Sequence, residues 1–123
     1  MTKPAEDPER EARIRDEATV DAHDEEERAL GWYYYLDDKI SFPFNGSCAV
    51  SVRTSPLKPG TQVTILKMAP EDVCMHAMFV TLEFDGAELD VPLSQITPDE
   101  NSDDDTAEAI GDWHYWVARG YQF

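Results

Sequence analysis

Between Phe42 and Pro98 the sequence breaks into short apolar segments separated by turn signals, and that punctuation restricts the fold more than any other feature. Ser47 to Val52 alternates, with Cys48, Val50 and Val52 on one side, after an irregular start marked by Pro43 and Asn45-Gly46. Lys58-Pro59-Gly60 is a turn that feeds Val63-Thr64-Ile65-Leu66, and Ala69-Pro70-Glu71-Asp72 is a second loop. Met78 to Phe84 reads as a long strand, Asp85-Gly86 as a hairpin turn, and Leu89-Asp90-Val91 as the returning strand. Pro92-Leu93-Ser94-Gln95-Ile96 has the character of a 3-10 turn before one last strand. Strands of about five to seven residues joined by tight turns predict a small, strongly bent antiparallel sheet or barrel of the SH3-like kind over about 42–98.

Helices are expected on either side, which makes the fold class α+β. Asp105 followed by Glu108 resembles a capping box, Ile110, Trp113 and Val117 share a face, and Arg119-Gly120 supplies a basic last turn and a terminal glycine. These features predict a C-terminal helix over about 105–119. Trp113, Tyr115, Trp116, Tyr121 and Phe123 load this end with apolar surface, so it should dock on the sheet. Residues 1–30 form an acidic, partly helical segment with Ile14 and Val20 as its larger apolar side chains. Glu11 with Arg15 and Asp24 with Arg28 have helical i,i+4 spacing, and Ile14, Ala18 and Ala22 make one thin stripe. A frayed start and then a mostly solvated helix are expected, with the main domain over 31–123. The run Leu30 to Leu36 fits helix or strand. The preferred reading continues a helix from Asp24 and puts Tyr33, Leu36 and Ile40 on one face.

A chain of 123 residues holds one core, because a second would need roughly 100 more. Its 26 acidic and 10 basic side chains give a net charge of -16, which opposes binding to nucleic acid or to an anionic membrane. No run approaches the roughly 18 apolar residues of a spanning helix, and Met1 to Asp7 is too polar to open a signal peptide. A cytoplasmic location is therefore expected, with Cys48 and Cys74 as reduced thiols. No protein partner can be assigned.

Three chemistries compete for the polar residues. Cys74 with His76 or His114 lacks a glycine-rich oxyanion turn, which argues against nucleophilic catalysis. Cys48, Cys74, His76 and His114 lack the paired spacing of structural zinc. A hard cation held by oxygen suits the acidic turns better. Asp99, Asn101, Asp103 and Asp105 match the first positions of an EF-hand, but Asp104 stands where the loop needs Gly and Ile110 where it needs Glu. Asp37-Asp38, behind a rigid aromatic block, and Glu71-Asp72, in a Pro-containing loop, are acidic pairs that repel unless a cation lies near. The bland alternative is that one pair merely ends a helix and the other merely solvates a loop.

The chain resembles the small prokaryotic calcium-binding proteins typified by the cyanobacterial calcium-binding protein. The resemblance is carried by Gly31-Trp32-Tyr33-Tyr34-Tyr35-Leu36-Asp37-Asp38 with Phe42-Pro43-Phe44, and by Met68-Ala69-Pro70-Glu71-Asp72 with Cys74 and Met78-Phe79-Val80. It continues through Val91 to Ile96 and closes with Asp112-Trp113-His114-Tyr115-Trp116 and Arg119 to Phe123. It implies Ca2+ binding outside any EF-hand, no catalysis, and buffering or sequestration of cytosolic calcium. It also implies Asp37, Asp38, Glu71 and Asp72 as metal-binding residues. The family pattern often has another carboxylate just before the Met-Phe-Val strand, where this chain has Ala77. Two other readings are a salt-adapted acidic surface, which four lysines against 26 acids would suit, and an SH3-like module that grips a basic or proline-rich segment through Tyr33, Tyr34 and Trp116.

Overall fold

The computed structural model describes residues 4–49 and 57–123. Its turn-punctuated middle folds into five antiparallel strands, β1 (Phe44–Cys48), β2 (Gln62–Met68), β3 (Phe79–Phe84), β4 (Ala87–Pro92) and β5 (Ile96–Pro98), in the spatial order β4-β3-β2-β1-β5. Successive strands pair as hairpins, and a 3-10 turn over Leu93–Gln95 then returns the chain so that β5 lies beside β1, with Cys48 opposite Ile96. Asp85 and Gly86 both have positive φ, 53° and 81°. That geometry fits a two-residue hairpin loop, because its twist matches the flanking strands. On β2 the buried positions are Val63, Ile65 and Met68, which breaks strict alternation. The register shift between Ile65 and Lys67 explains it, since one extra residue turns Lys67 outward and Met68 inward. Cys48 is buried as its alternation requires; Val50 and Val52 lie outside the described residues.

The aromatic run is helical. α2 spans Glu25–Lys39, and the Asp24 side chain caps it by accepting the Glu27 backbone N–H at 2.8 Å. Its buried residues are Ala29, Trp32, Tyr35 and Leu36, and Ile40 is buried just beyond its end; of the expected face, Leu36 and Ile40 are buried and Tyr33 only partly so. Trp32 decides the rotation. Its indole meets Trp113 at 5.1 Å and Trp116 at 5.5 Å between ring centroids, and burial of the largest side chain outweighs that of Tyr33.

The N-terminal segment contains two helical pieces rather than one. α1 spans Pro8–Arg13 and runs on as a π-helical turn over Ile14–Ala18; the chain then breaks before Asp24, with Asp21 at φ 58°. It is also less solvated than expected, since Ile14 and Ala18 join the core. α2 crosses residue 31, where composition alone divides the chain. Gly31 permits this packing, because a Cβ there would stand 2.2 Å from the Ala18 carbonyl oxygen.

α3 spans Asp104–Ala118, and its cap is Asp103 rather than Asp105: the Asp103 carboxylate accepts the Thr106 N–H at 2.7 Å. Glu108, expected to complete a capping box, instead pairs with Lys39 at 3.1 Å and Arg13 at 3.4 Å. The helix closes as expected, with Gly120 N–H donating to Val117 O and Tyr121 N–H to Trp116 O. Val117, placed on the buried face by its spacing, is exposed. Asp112 is buried there instead, receiving Arg10 at 2.7 Å, Arg13 at 2.6 and 2.8 Å, and the Tyr35 hydroxyl at 2.7 Å. Among the described residues no helix is long and apolar enough to cross a membrane.

Candidate metal centre

Asp37 and Asp38 lie in the last turn of α2, both exposed. The last carbonyls of a helix have no intrahelical partner, and that end carries partial negative charge. Two carboxylates placed there repel both each other and the helix end. Lys39, the only basic residue of this turn, is turned toward Glu108 at 3.1 Å and over the Tyr35 ring at 5.6 Å. Asp37 and Asp38 also line a cleft of about 680 Å3 together with Glu17, Tyr34 and the main chain at Gly31.

Glu71 and Asp72 open a 3-10 turn, Glu71–Cys74, where the sequence suggested an irregular loop. The turn is anchored by Cys74, which is fully buried and accepts the Phe79 N–H on its sulfur at 3.3 Å. Glu71 and Asp72 are exposed to solvent. The link between the two acidic pairs is Tyr34, whose hydroxyl donates to Glu71 Oε1 at 2.5 Å. The hydroxyl of Tyr34 is held protonated above its usual range, first by this hydrogen bond and the Glu71 charge, then by a little desolvation and by Asp37. That of Tyr33 is raised mainly by burial, with Cys74, Asp37 and Glu71 adding to it. Asp37 and Glu71 thus act on the same pair of hydroxyls, although they are 34 positions apart in the chain.

These residues fit a hard cation. They offer oxygen alone, in a negative and solvent-accessible place, and calcium tolerates irregular shells of about six to eight oxygens. No group of three or more His, Cys, Asp or Glu side chains among the described residues is gathered closely enough to hold a metal by itself. Main-chain carbonyls and water would have to supply the remaining oxygens.

The competing sequence candidates are separated by the fold. Cys74 ends the 3-10 turn and His76 follows in an exposed bend, so the two do not share a strand face; burial pushes the Cys74 thiol up, away from the reactive thiolate. Cys48 is buried on β1, while the His114 ring nitrogen lies 3.3 Å from the Leu93 carbonyl. In the Asp99–Asp105 stretch, Asp103 is engaged as the α3 cap, and Asp99, Asn101 and Asp103 line a separate cleft of about 340 Å3 with Asn45. Sequence reasoning missed Tyr34 as the partner of Glu71. The available signal was its spacing, since Asp37 and Asp38 lie three and four residues beyond it on a helix.

Fold and composition together define a small acidic α+β protein with two adjacent exposed carboxylates in the last turn of one helix. A family model described as calcium binding matches residues 12–117. Among solved structures, the chain is similar to the crystal structure of Anabaena CcbP, with 46% identity, a TM-score of 0.88 and full coverage of both chains. It is likewise similar to a calcium-binding protein solved in its calcium-binding form, with 46% identity, a TM-score of 0.84 and 95% of each chain covered. A comparison with curated proteins finds no match. The chain belongs to the CcbP family of calcium-binding proteins, and Ca2+ is the ion of that family.

Proposed function

We propose that this protein binds Ca2+ through Asp37, Asp38, Glu71 and Asp72, outside any EF-hand, and acts without catalysis as a cytoplasmic calcium buffer or sequestering protein. The observation that carries this reading is the hydrogen bond from the Tyr34 hydroxyl to Glu71 Oε1, which joins the helix that ends in Asp37 and Asp38 to the turn that opens with Glu71 and Asp72. Folding places α2 beside the Glu71–Cys74 turn, so that acidic residues from two distant segments stand on elements in contact, one of them the negative end of a helix. A bound calcium ion neutralises that charge. Asp38 and Asp72, next to Asp37 and Glu71 in the chain, add negative charge, main-chain carbonyls and water complete the shell, and the 31–123 region, with α1 packed against it, is the binding unit.

Calorimetric titration with Ca2+ and Mg2+ in about 100 mM KCl, chosen to screen diffuse attraction, tests the reading. Ca2+ is expected to bind in preference, because Mg2+ demands a near-octahedral shell. Asp38→Asn should weaken binding by about tenfold, since ligand charge sets affinity, whereas Asp103→Asn should leave it near wild type. Calcium at a hundredfold excess over Kd should add about 2.7 kcal/mol of stability beyond that of KCl alone. Equal, salt-sensitive binding of both ions, with all stabilisation reproduced by KCl, would establish a salt-adapted acidic surface instead.

A further inference from the structure

We propose that Tyr34 is a positioning residue for calcium: its hydroxyl holds the Glu71 carboxylate beside the acidic end of α2 before the ion arrives. The inference rests on the site proposed above and adds a residue that is not itself a ligand. Tyr34 is 54% exposed and, among the described residues, is the one aromatic in the set of exposed large apolar side chains. Its ring stands edge-on to Tyr33, with centroids 5.6 Å apart and planes at 90°, and Tyr33 packs against the core. That support fixes the direction of the hydroxyl. The bond to Glu71 Oε1, at 2.5 Å, spans 37 residues and ties α2 to the Glu71–Cys74 turn.

The tie favours ion binding for two reasons. A free glutamate loses rotamer freedom when it ligates, and here folding has already imposed much of that loss. The hydroxyl also occupies only one acceptor site on Oε1, so Oε2 and the remaining lone pair stay available. Asp37, three residues beyond Tyr34, shares its face of α2 and lines a cleft with it.

The experiment uses the full chain as wild type, Tyr34→Phe, Glu71→Ala and the double variant, titrated with Ca2+ by calorimetry in about 100 mM KCl. Tyr34→Phe should weaken calcium binding about threefold to tenfold, the range of a modest net hydrogen bond. In the Glu71→Ala background the same change should have no further effect. A second readout needs no metal: in EDTA the backbone amides of 71–74 should exchange with solvent faster in Tyr34→Phe, while the melting temperature stays close to wild type. Weakening by Glu71→Ala together with unchanged or tighter binding by Tyr34→Phe overturns the proposal, and tighter binding would mean that Tyr34 competes with the ion. Additive losses also overturn it, because they would show that Tyr34 acts through something other than Glu71. If Glu71→Ala leaves binding untouched, the site itself is misplaced and this role of Tyr34 falls with it.

Discussion

Removal of the Asp112 carboxylate should be the most damaging single change to the packing of the N-terminal segment. Asp112 is fully buried and receives four hydrogen bonds: Arg10 Nη1 and Arg13 Nη2 donate to Oδ1, and Arg13 Nε and the Tyr35 hydroxyl donate to Oδ2. Its hydrogen bonding and charge hold the Arg13 proton more firmly, and with burial, the larger cause, they keep Tyr35 protonated. Breaking a buried ion pair by deleting one partner costs about 3–5 kcal/mol, because the other charge is left without its partner. The guanidinium groups can recover some water, since the side chains of Arg10 and Arg13 are 31% and 19% exposed. The lower end, about 3 kcal/mol, is therefore expected for Asp112→Ala, which for a domain of this size is a fall in Tm of about 10 °C. Arg13→Ala should cost less, about 1.5–3 kcal/mol, because Arg10 and Tyr35 still compensate the carboxylate, and Arg10→Ala least, about 1 kcal/mol. Thermal and urea melts in EDTA would measure all three without a contribution from calcium. A loss below about 1 kcal/mol for Asp112→Ala, or a larger loss for Arg10→Ala than for Arg13→Ala, would refute the reasoning.

Two further expectations concern the same core. Burial holds the His114 imidazole below its usual 6.5, against weaker opposing pulls from the Leu93 and Ile96 carbonyls and with a small push from Arg10. The folded state therefore takes up this proton less readily than the unfolded chain; the stability gained is complete above about pH 6.5 and is lost as pH falls through the depressed folded value. His114→Gln should flatten the stability curve between about pH 7 and pH 5, and parallel curves for variant and wild type would dismiss the effect. Gly31→Ala would drive a Cβ against the Ala18 carbonyl oxygen, 2.2 Å away on a backbone that cannot swing aside. A cost of about 1–3 kcal/mol is expected from overpacking, partly offset by the helix preference of alanine; a variant as stable as wild type in urea would contradict the close approach.

Much of the architecture is legible in the amino-acid sequence because it depends on residues a few positions apart. The Asp85-Gly86 turn, the Leu93–Gln95 connection and the Gly120 closure of α3 are set by local backbone preferences, and all stand where those preferences place them. Local signals failed where several residues could perform one role. Any of three consecutive aspartates could have capped α3, and tertiary pairing of Glu108 with Lys39 and Arg13 accompanied the choice of Asp103. Either of two faces of α2 could have been buried, and Trp113 and Trp116, some 80 residues away in sequence, selected the face with Trp32.

The candidate site divides in the same way. The amino-acid sequence shows which donors are on offer: adjacent carboxylates at Asp37-Asp38 and Glu71-Asp72 and no soft-ligand motif, a set that suits a hard cation but could equally end a helix and solvate a loop. Tertiary packing alone brings Tyr34 to Glu71 and makes Asp112 a buried anchor for Arg10 and Arg13 rather than one more surface acid. Composition counts Asp112 and Asp38 alike. What separates them is whether two arginines and a tyrosine arrive to replace the water lost on burial, and that follows from packing between residues 77 to 102 positions apart, which no local pattern encodes.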